Sequence, residues 1–491
     1  MSTRREFLRT VVGGGMVLGA VQLPWLAACS HGSHESGESD ERQPLVLPSD
    51  FAGGMLVASV LPDIHSGIGT QPWTFGGKTP APTIRVRKGD TFSAQLANQL
   101  AEPTNIHWHG VLAPADMDGH PKDAVAAGAS KTFSYTVQNR AGTYWYHPHP
   151  DMAAGKQVYL GMAGFYLVQD SEEQALGLPA GEFDVPLMIQ DRRLASGSTG
   201  YNPTETDMAD GYLGDTITVN GVPNAYFEVA TGLYRFRLLN GANARIFRLM
   251  FDDGRPLIVI ATDGGLLDVP ISTDMLWLGP GERVEILVDF SKDALGAAIM
   301  LHSMAFTPGM PGSGHAGHGG GVTTGVLPQG SEVEVIRFDV KRVAPSTAKI
   351  PTKLATLEKL DPNTATKTRT FELAMREGVT MGMHTINGKV FDMARVDEQM
   401  PSRATEVWEF KSLDDGAIHP MHVHGMQFQV VSRSGGPLNT NDLGWKDTVL
   451  VFPMETVRVV TRVGTYPGLY LLHCHTLEHE DDGMMLNVQI M

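Results

Sequence analysis

Two stretches of this chain are copies of each other. Gly142-Thr143-Tyr144-Trp145-Tyr146-His147-Pro148-His149 is followed by Gly161-Met162 and an apolar run ending Val168-Gln169. Gly468-Leu469-Tyr470-Leu471-Leu472-His473-Cys474-His475 is followed by Gly483-Met484 and a run ending Val488-Gln489. A repeat of this kind makes the first and last parts of the chain duplicates of one unit. The unit is a β-sandwich. Thr91 to Leu96, Thr132 to Val137 and Arg283 to Val288 alternate polar and apolar residues, which predicts strands with one buried face. The 55 glycines and 30 prolines punctuate them, as sandwiches with many turns require. A chain of 491 residues is too long for one core and suits about three domains. The expectation is an all-β protein of about three domains, at residues 45–175, 180–343 and 369–491. The middle one has no paired histidines, and a Pro-, Thr- and Lys-rich linker at 344–368 precedes the last.

Residues 1–28 read as a targeting segment and 29–44 as a polar tether. Ser2-Thr3-Arg4-Arg5-Glu6-Phe7-Leu8-Arg9 resembles a twin-arginine export signal. Val11 to Leu26 is weakly apolar, interrupted by Gly13, Gly14, Gly15, Gln22 and Pro24, and short for a membrane span of about 20 residues. Leu26-Ala27-Ala28-Cys29 matches the lipobox of bacterial lipoproteins, in which the cysteine is lipidated. A plain cleavable signal is the alternative. The expected location is periplasmic or otherwise extracytoplasmic, with membrane attachment through Cys29, as a monomer. The net charge of -16 argues against a nucleic-acid partner, because phosphate binding needs a basic surface. The two cysteines, Cys29 and Cys474, stand in unlike contexts, so each has its own chemistry rather than a shared disulfide.

Four motifs hold ten of the eighteen histidines: His107-Trp108-His109, His147-Pro148-His149, His419-Pro420-Met421-His422-Val423-His424, and His473-Cys474-His475 with His479 beyond. Each contains His-x-His. On a strand, residues i and i+2 share a face, so each pair presents two imidazoles to one side. Eight imidazoles, four from each terminal domain, are enough to close a polynuclear metal site between the copies. Imidazole alone suits copper, zinc, iron or nickel. Cys474 narrows the choice. Lying between His473 and His475, it faces the opposite side of the strand, toward His419, His479 and Met484. Two His, one Cys and a weak axial Met make a blue-copper electron-transfer site. Structural zinc uses four ligands and leaves most of this set unexplained.

These motifs are similar to the four copper-binding motifs of multicopper oxidases, including laccases, bilirubin oxidases and bacterial copper-efflux oxidases, and the similarity runs through the whole mature chain. It implies three cupredoxin-like domains, each a Greek-key β-sandwich, and four copper ions. The type 1 copper would take His419, Cys474, His479 and Met484, and the type 2 copper His107 and His422. The type 3 pair would take His109, His147, His149, His424, His473 and His475. Asp118 resembles the family acid near the cluster, and Glu480 its proton donor to reduced oxygen. The implied activity is one-electron oxidation of phenolic or organic substrates, and of cuprous ion, coupled to reduction of dioxygen to water, in a copper-tolerance or laccase-like role. Trp445-Lys446-Asp447-Thr448-Val449 and Leu477-Glu478-His479-Glu480-Asp481 are most similar to copper-efflux oxidases. The chain lacks their Met-rich insert. In that region it has only Met375, Met381, Met383 and His384, and it has Ala417 where they carry a methionine ligand. Asp415 stands where they have an aspartate touching the type 1 histidine. Without the insert, the edge of His479 is expected to be open to bulky organic reductants. A second soft-metal candidate is the Gly-rich loop from His302 to Gly321, with Met304, Met310, His315 and His318.

Three rivals are weaker. A copper-sequestering lipoprotein needs no buried oxygen site, copper nitrite reductases lack the His-Cys-His arrangement, and a copper-free relative would not keep every ligand. One prediction rests on sequence alone. Cys29→Ala should move the protein from the membrane fraction to the soluble extracytoplasmic fraction with its colour intact, and unchanged partitioning would favour the plain signal.

Overall fold

The computed structural model describes residues 42–62, 71–194, 200–309, 326–344, 348–376 and 378–491. The twin-arginine stretch, Cys29, Met310, His315 and His318 lie outside the described residues. Among the described residues, six sheets pair into three sandwiches, each closed over its own apolar core. The fold is all-β and cupredoxin-like, and the helices are short.

The strands that carry the His-x-His motifs occupy matching places in the first and third sandwiches. In the first, His107–His109 pairs with Gly142–His147, which pairs with Gly164–Gln169, which runs parallel to Ala81–Arg87. In the third, His419–Val423 pairs with Gly468–Cys474, then Met485–Ile490, then in parallel Glu398–Met400. The registers correspond as well: His107 lies opposite His147, and His422 opposite His473. The sequence repeat is therefore a repeat of strand order and register.

The middle sandwich has a seven-stranded and a six-stranded sheet. Gln43–Pro44, from the polar segment before the first sandwich, adds a short parallel strand to its edge. Within 344–368, Leu354 and Ala355 are buried in the middle core. The strand Thr91–Asn98 has the expected single buried face. Arg283–Asp289 does not. Six of its seven residues are buried, because its polar face meets the first sandwich rather than water. Thr143 Oγ1 donates to Glu285 at 2.7 Å, and Arg283 Nε donates to the Thr143 carbonyl at 3.0 Å. Alternation reported the strand correctly; it did not report that polar residues can face another domain.

A buried charge network clamps the third sandwich to the middle one. Lys446 Nζ lies 2.8 Å from Asp263 and 2.9 Å from Glu282, with all three side chains fully buried. Arg283 forms a two-pronged pair with Asp447, both contacts at 2.6 Å. Removing one partner of such a set leaves charge without compensation in a medium that solvates it poorly. Lys446→Met, which strands Asp263 and Glu282, should cost about 3–5 kcal/mol. A urea unfolding midpoint equal to that of the wild type would contradict the clamp.

Candidate metal centre

Strand alternation builds the centre. Trp108, Tyr146, Val423 and Cys474 point into their own sandwich cores. The histidines beside them therefore point the other way, into the seam between the first and third sandwiches. All eight, His107, His109, His147, His149, His422, His424, His473 and His475, are at most 1% exposed.

Hydrogen bonds on the far side of each ring fix which nitrogen faces inward. His107 Nδ1 donates to the Asp118 carbonyl at 2.8 Å, and His422 Nδ1 to the Asp447 carbonyl at 2.8 Å. His147 donates to the Pro148 carbonyl and His473 to the Cys474 carbonyl, both at 3.0 Å. His424 Nδ1 lies 2.7 Å from the Asp118 carboxyl group. A carbonyl only accepts, so the proton is on Nδ1 and the Nε2 lone pair faces the seam. His109 is reversed. Its Nε2 lies 3.1 Å from Asp447 and 3.2 Å from the Thr448 hydroxyl, so its Nδ1 faces inward.

The inward nitrogens then meet as lone pairs. His107 Nε2 and His422 Nε2 are 3.4 Å apart, His424 and His473 3.0 Å, and His149 and His473 3.4 Å. His109 Nδ1, His147 Nε2 and His475 Nε2 have no hydrogen-bond partner among the described residues. Protons do not relieve this. Burial pushes His107, His109, His149, His422, His424 and His475 well below the usual imidazole range, and His147 down to about 3. Metal cations resolve both problems. The expected type 2 pair, His107 and His422, is adjacent. The six expected type 3 histidines divide into two triads, each drawing on both sandwiches. His149, His424 and His473 converge within 4.8 Å. His109, His147 and His475 have ring centroids 4.9 to 5.6 Å apart. The middle sandwich closes the cluster with Gly281, at φ 82°, where a side chain would come within 2.9 Å of His475 and 3.0 Å of His109.

On the other face of the strand Gly468–Cys474, Cys474 Sγ lies 3.7 Å from His419 Nδ1 and 3.6 Å from His479 Nδ1. Met484 is fully buried in the same core, its carbonyl accepting from Cys474 N–H at 3.1 Å. Asp414, which the sequence did not single out, lies 3.5 Å from His419 Nε2, and Asp415 is half-buried one residue on. Asp414 Oδ1 accepts from Gly416 N–H at 3.0 Å and Ala417 N–H at 3.3 Å, which holds that carboxylate inward. Burial opposes charge on His419, but Asp414 and Cys474 hold its pKa up at about 9.

Both expected acids touch the cluster. Asp118 is fully buried, and burial raises its pKa well above the carboxylate range. Glu480 has one oxygen 3.3 Å from His149 Nε2 and the other 3.2 Å from His473 Nδ1. The roles of Asp447, Arg283, Asp414 and the Ala209 carbonyl were not read from the sequence. Asp447 lay inside a quoted motif but had no partner there to reveal its contact with His109.

The edge of His479 is closed, against expectation. His479 is 2% exposed, its Nε2 donates to the Ala209 carbonyl at 3.0 Å, and His384 is stacked on its face. Of the thioethers nearby, Met383 is buried, Met375 half-buried and Met381 exposed.

Family models described as multicopper oxidase match residues 62–173, 184–317 and 350–491. The chain is 31% identical to multicopper oxidase Mco of Staphylococcus aureus, over 85% of this chain and 83% of that one. It is also 31% identical to cell division protein FtsP of Photorhabdus laumondii, over 98% and 97%. The crystal structure of McoA multicopper oxidase from Aquifex aeolicus superposes with a TM-score of 0.80 at 36% identity, covering 92% of this chain and 99% of that one.

Two variants test the assignments. Cys474→Ser should abolish the intense blue colour, which comes from a copper–thiolate bond, and reduce oxidase activity to background; a variant that stays blue contradicts the site. Glu480→Gln should keep its copper by elemental analysis yet slow dioxygen reduction by about 10²–10⁴-fold, the usual weight of a positioned proton donor. Loss of copper would make Glu480 a ligand instead.

Proposed function

The chain belongs to the multicopper oxidase family, and on that premise we propose that it accepts single electrons at the Cys474 site and delivers four of them, with four protons, to dioxygen at the histidine cluster, yielding two waters. The observation that carries this reading is one strand with two faces: Cys474 turns to one site while His473 and His475 turn to the other. When bound, copper supplies the one-electron redox chemistry at both sites. The residues do the rest. Cys474 gives a short covalent route to its neighbours in sequence, and the His473 Nδ1 bond to the Cys474 carbonyl adds a second link. Asp414 orients His419, and the Asp118 and Asp447 carbonyls orient the His107 and His422 pair. Asp118 and Glu480 are placed to supply protons, and burial of the whole seam excludes bulk water.

One relative of similar identity bears the name of a cell division protein, so the oxidase reading leans on the ligand set of this chain as well as on likeness. For the reductant we favour small species, cuprous ion among them, over bulky phenols. The closed edge of His479 and the thioethers of Met375, Met381 and Met383 support this order. Oxygen uptake with cuprous ion, a phenol and bilirubin should be measured side by side. Uptake is expected with cuprous ion at one dioxygen per four ions, and more slowly with the organics. No uptake with any of the three would overturn the oxidase reading, and faster uptake with bilirubin than with cuprous ion would overturn the order.

A further inference from the structure

His384 opens the strand His384–Ile386, opposite Met375 at the edge of the outer sheet of the third sandwich. Its ring lies parallel to that of His479, with centroids 3.7 Å apart and planes 22° apart. It meets His419 edge-on at 5.7 Å. Its Nε2 donates to the Ala209 carbonyl at 3.0 Å, and that oxygen also accepts from His479 Nε2 at 3.0 Å. One carbonyl from the helix Glu205–Asp210 of the middle sandwich thus fixes the tautomer and tilt of both rings. His384 is fully buried. The segment before it is tied down: the Asp482 carboxylate accepts from Gly382 N–H at 2.7 Å and Met383 N–H at 2.5 Å, and Arg376 Nε donates to the Gly382 carbonyl at 2.7 Å. Beyond these ties the surface is reached at Met381, which is 65% exposed.

We propose that His384 is a positioning residue that selects reductants by size: the His384 ring covers the face of His479 and the Ala209 carbonyl caps its Nε2 edge, so that electrons cross the stacked ring instead of passing by direct contact with His479. This rests on the oxidase reading above. The electron lost by the reductant is the one gained at the Cys474 site, and no bond is made or broken at His384. A rigid, bulky reductant is kept at least one ring further from His479 than it would be in an open site. Transfer between the two falls steeply with that distance. A small reductant is less affected, because it tolerates a narrower approach to the covered ring. Excluding water from His479 also disfavours the more highly charged oxidised copper, which raises the potential of the site.

The test uses the full-length holoprotein and follows bleaching of the blue band without oxygen, which reads the first electron step and not turnover. Hydroquinone and 2,6-di-tert-butylhydroquinone serve as the small and bulky probes, with rates corrected for their potentials. In the wild type the small probe should be faster by about tenfold or more, a difference of ~1.4 kcal/mol in barrier. His384→Ala should keep its copper and its blue colour, lower the midpoint potential, and bring the two rates together. His384→Phe keeps a stacked plate and should retain the wild-type ratio. Equal rates in the wild type, or an unchanged ratio and potential in His384→Ala, would overturn the inference. The wild-type comparison stands even if a variant fails to fold. The two readings fail differently: a colourless protein that consumes no oxygen defeats the oxidase reading, whereas a blue, active protein indifferent to probe size defeats only the role of His384.

Discussion

The structure turns on a set of imidazole lone pairs that face one another across a dry seam. Each cluster histidine with a fixed tautomer has its proton drawn outward by a carbonyl or carboxylate, so its lone pair is left pointing in. Nitrogens such as His107 Nε2 and His422 Nε2, 3.4 Å apart, repel unless something positive lies between them. Burial makes that something a metal rather than a proton, since it lowers the pKa of these rings. The far-side bonds are what make the site specific. They orient the rings before any metal binds and raise the basicity of the nitrogens that would hold it.

The same condition explains the middle sandwich, which contributes none of the expected ligands. The seam exists only if the first and third sandwiches are held in register. The middle one grips both, through Thr143, Glu285 and Arg283 on one side and Arg283, Asp263, Glu282, Lys446 and Asp447 on the other. Arg283 belongs to both grips. Through Asp447 the clamp reaches His109, whose reversed ring depends on that carboxylate. Such a network stabilises little by itself, because the cost of burying its charges offsets most of the attraction. Its value lies in register, since a shifted interface would leave those charges unpaired.

Much of this was legible in the sequence because it follows from period two. The repeat gave matching strands, His-x-His gave imidazoles on one face, and Cys474 between two histidines gave the second site. Features that depend on how loops turn, or on what lies across a domain boundary, were not legible. Asp414 meets His419 because two backbone N–H groups hold its carboxylate inward. Arg283–Asp289 read as half-exposed because nothing in its pattern separates a polar face toward water from one toward another domain. The open edge expected at His479 failed for a similar reason. The Met-rich insert is absent, but Ala209, 270 residues away along the chain, and His384 cover the ring instead.

The central claim is that the seam and the Cys474 site together hold copper in distinct environments. Elemental analysis combined with quantitative electron paramagnetic resonance on the purified oxidised protein tests it most directly. The account predicts four coppers per chain, half of them detected, because a type 3 pair is magnetically coupled and silent while the Cys474 and type 2 coppers are not. A single copper per chain, or zinc in place of copper at the cluster, would contradict it.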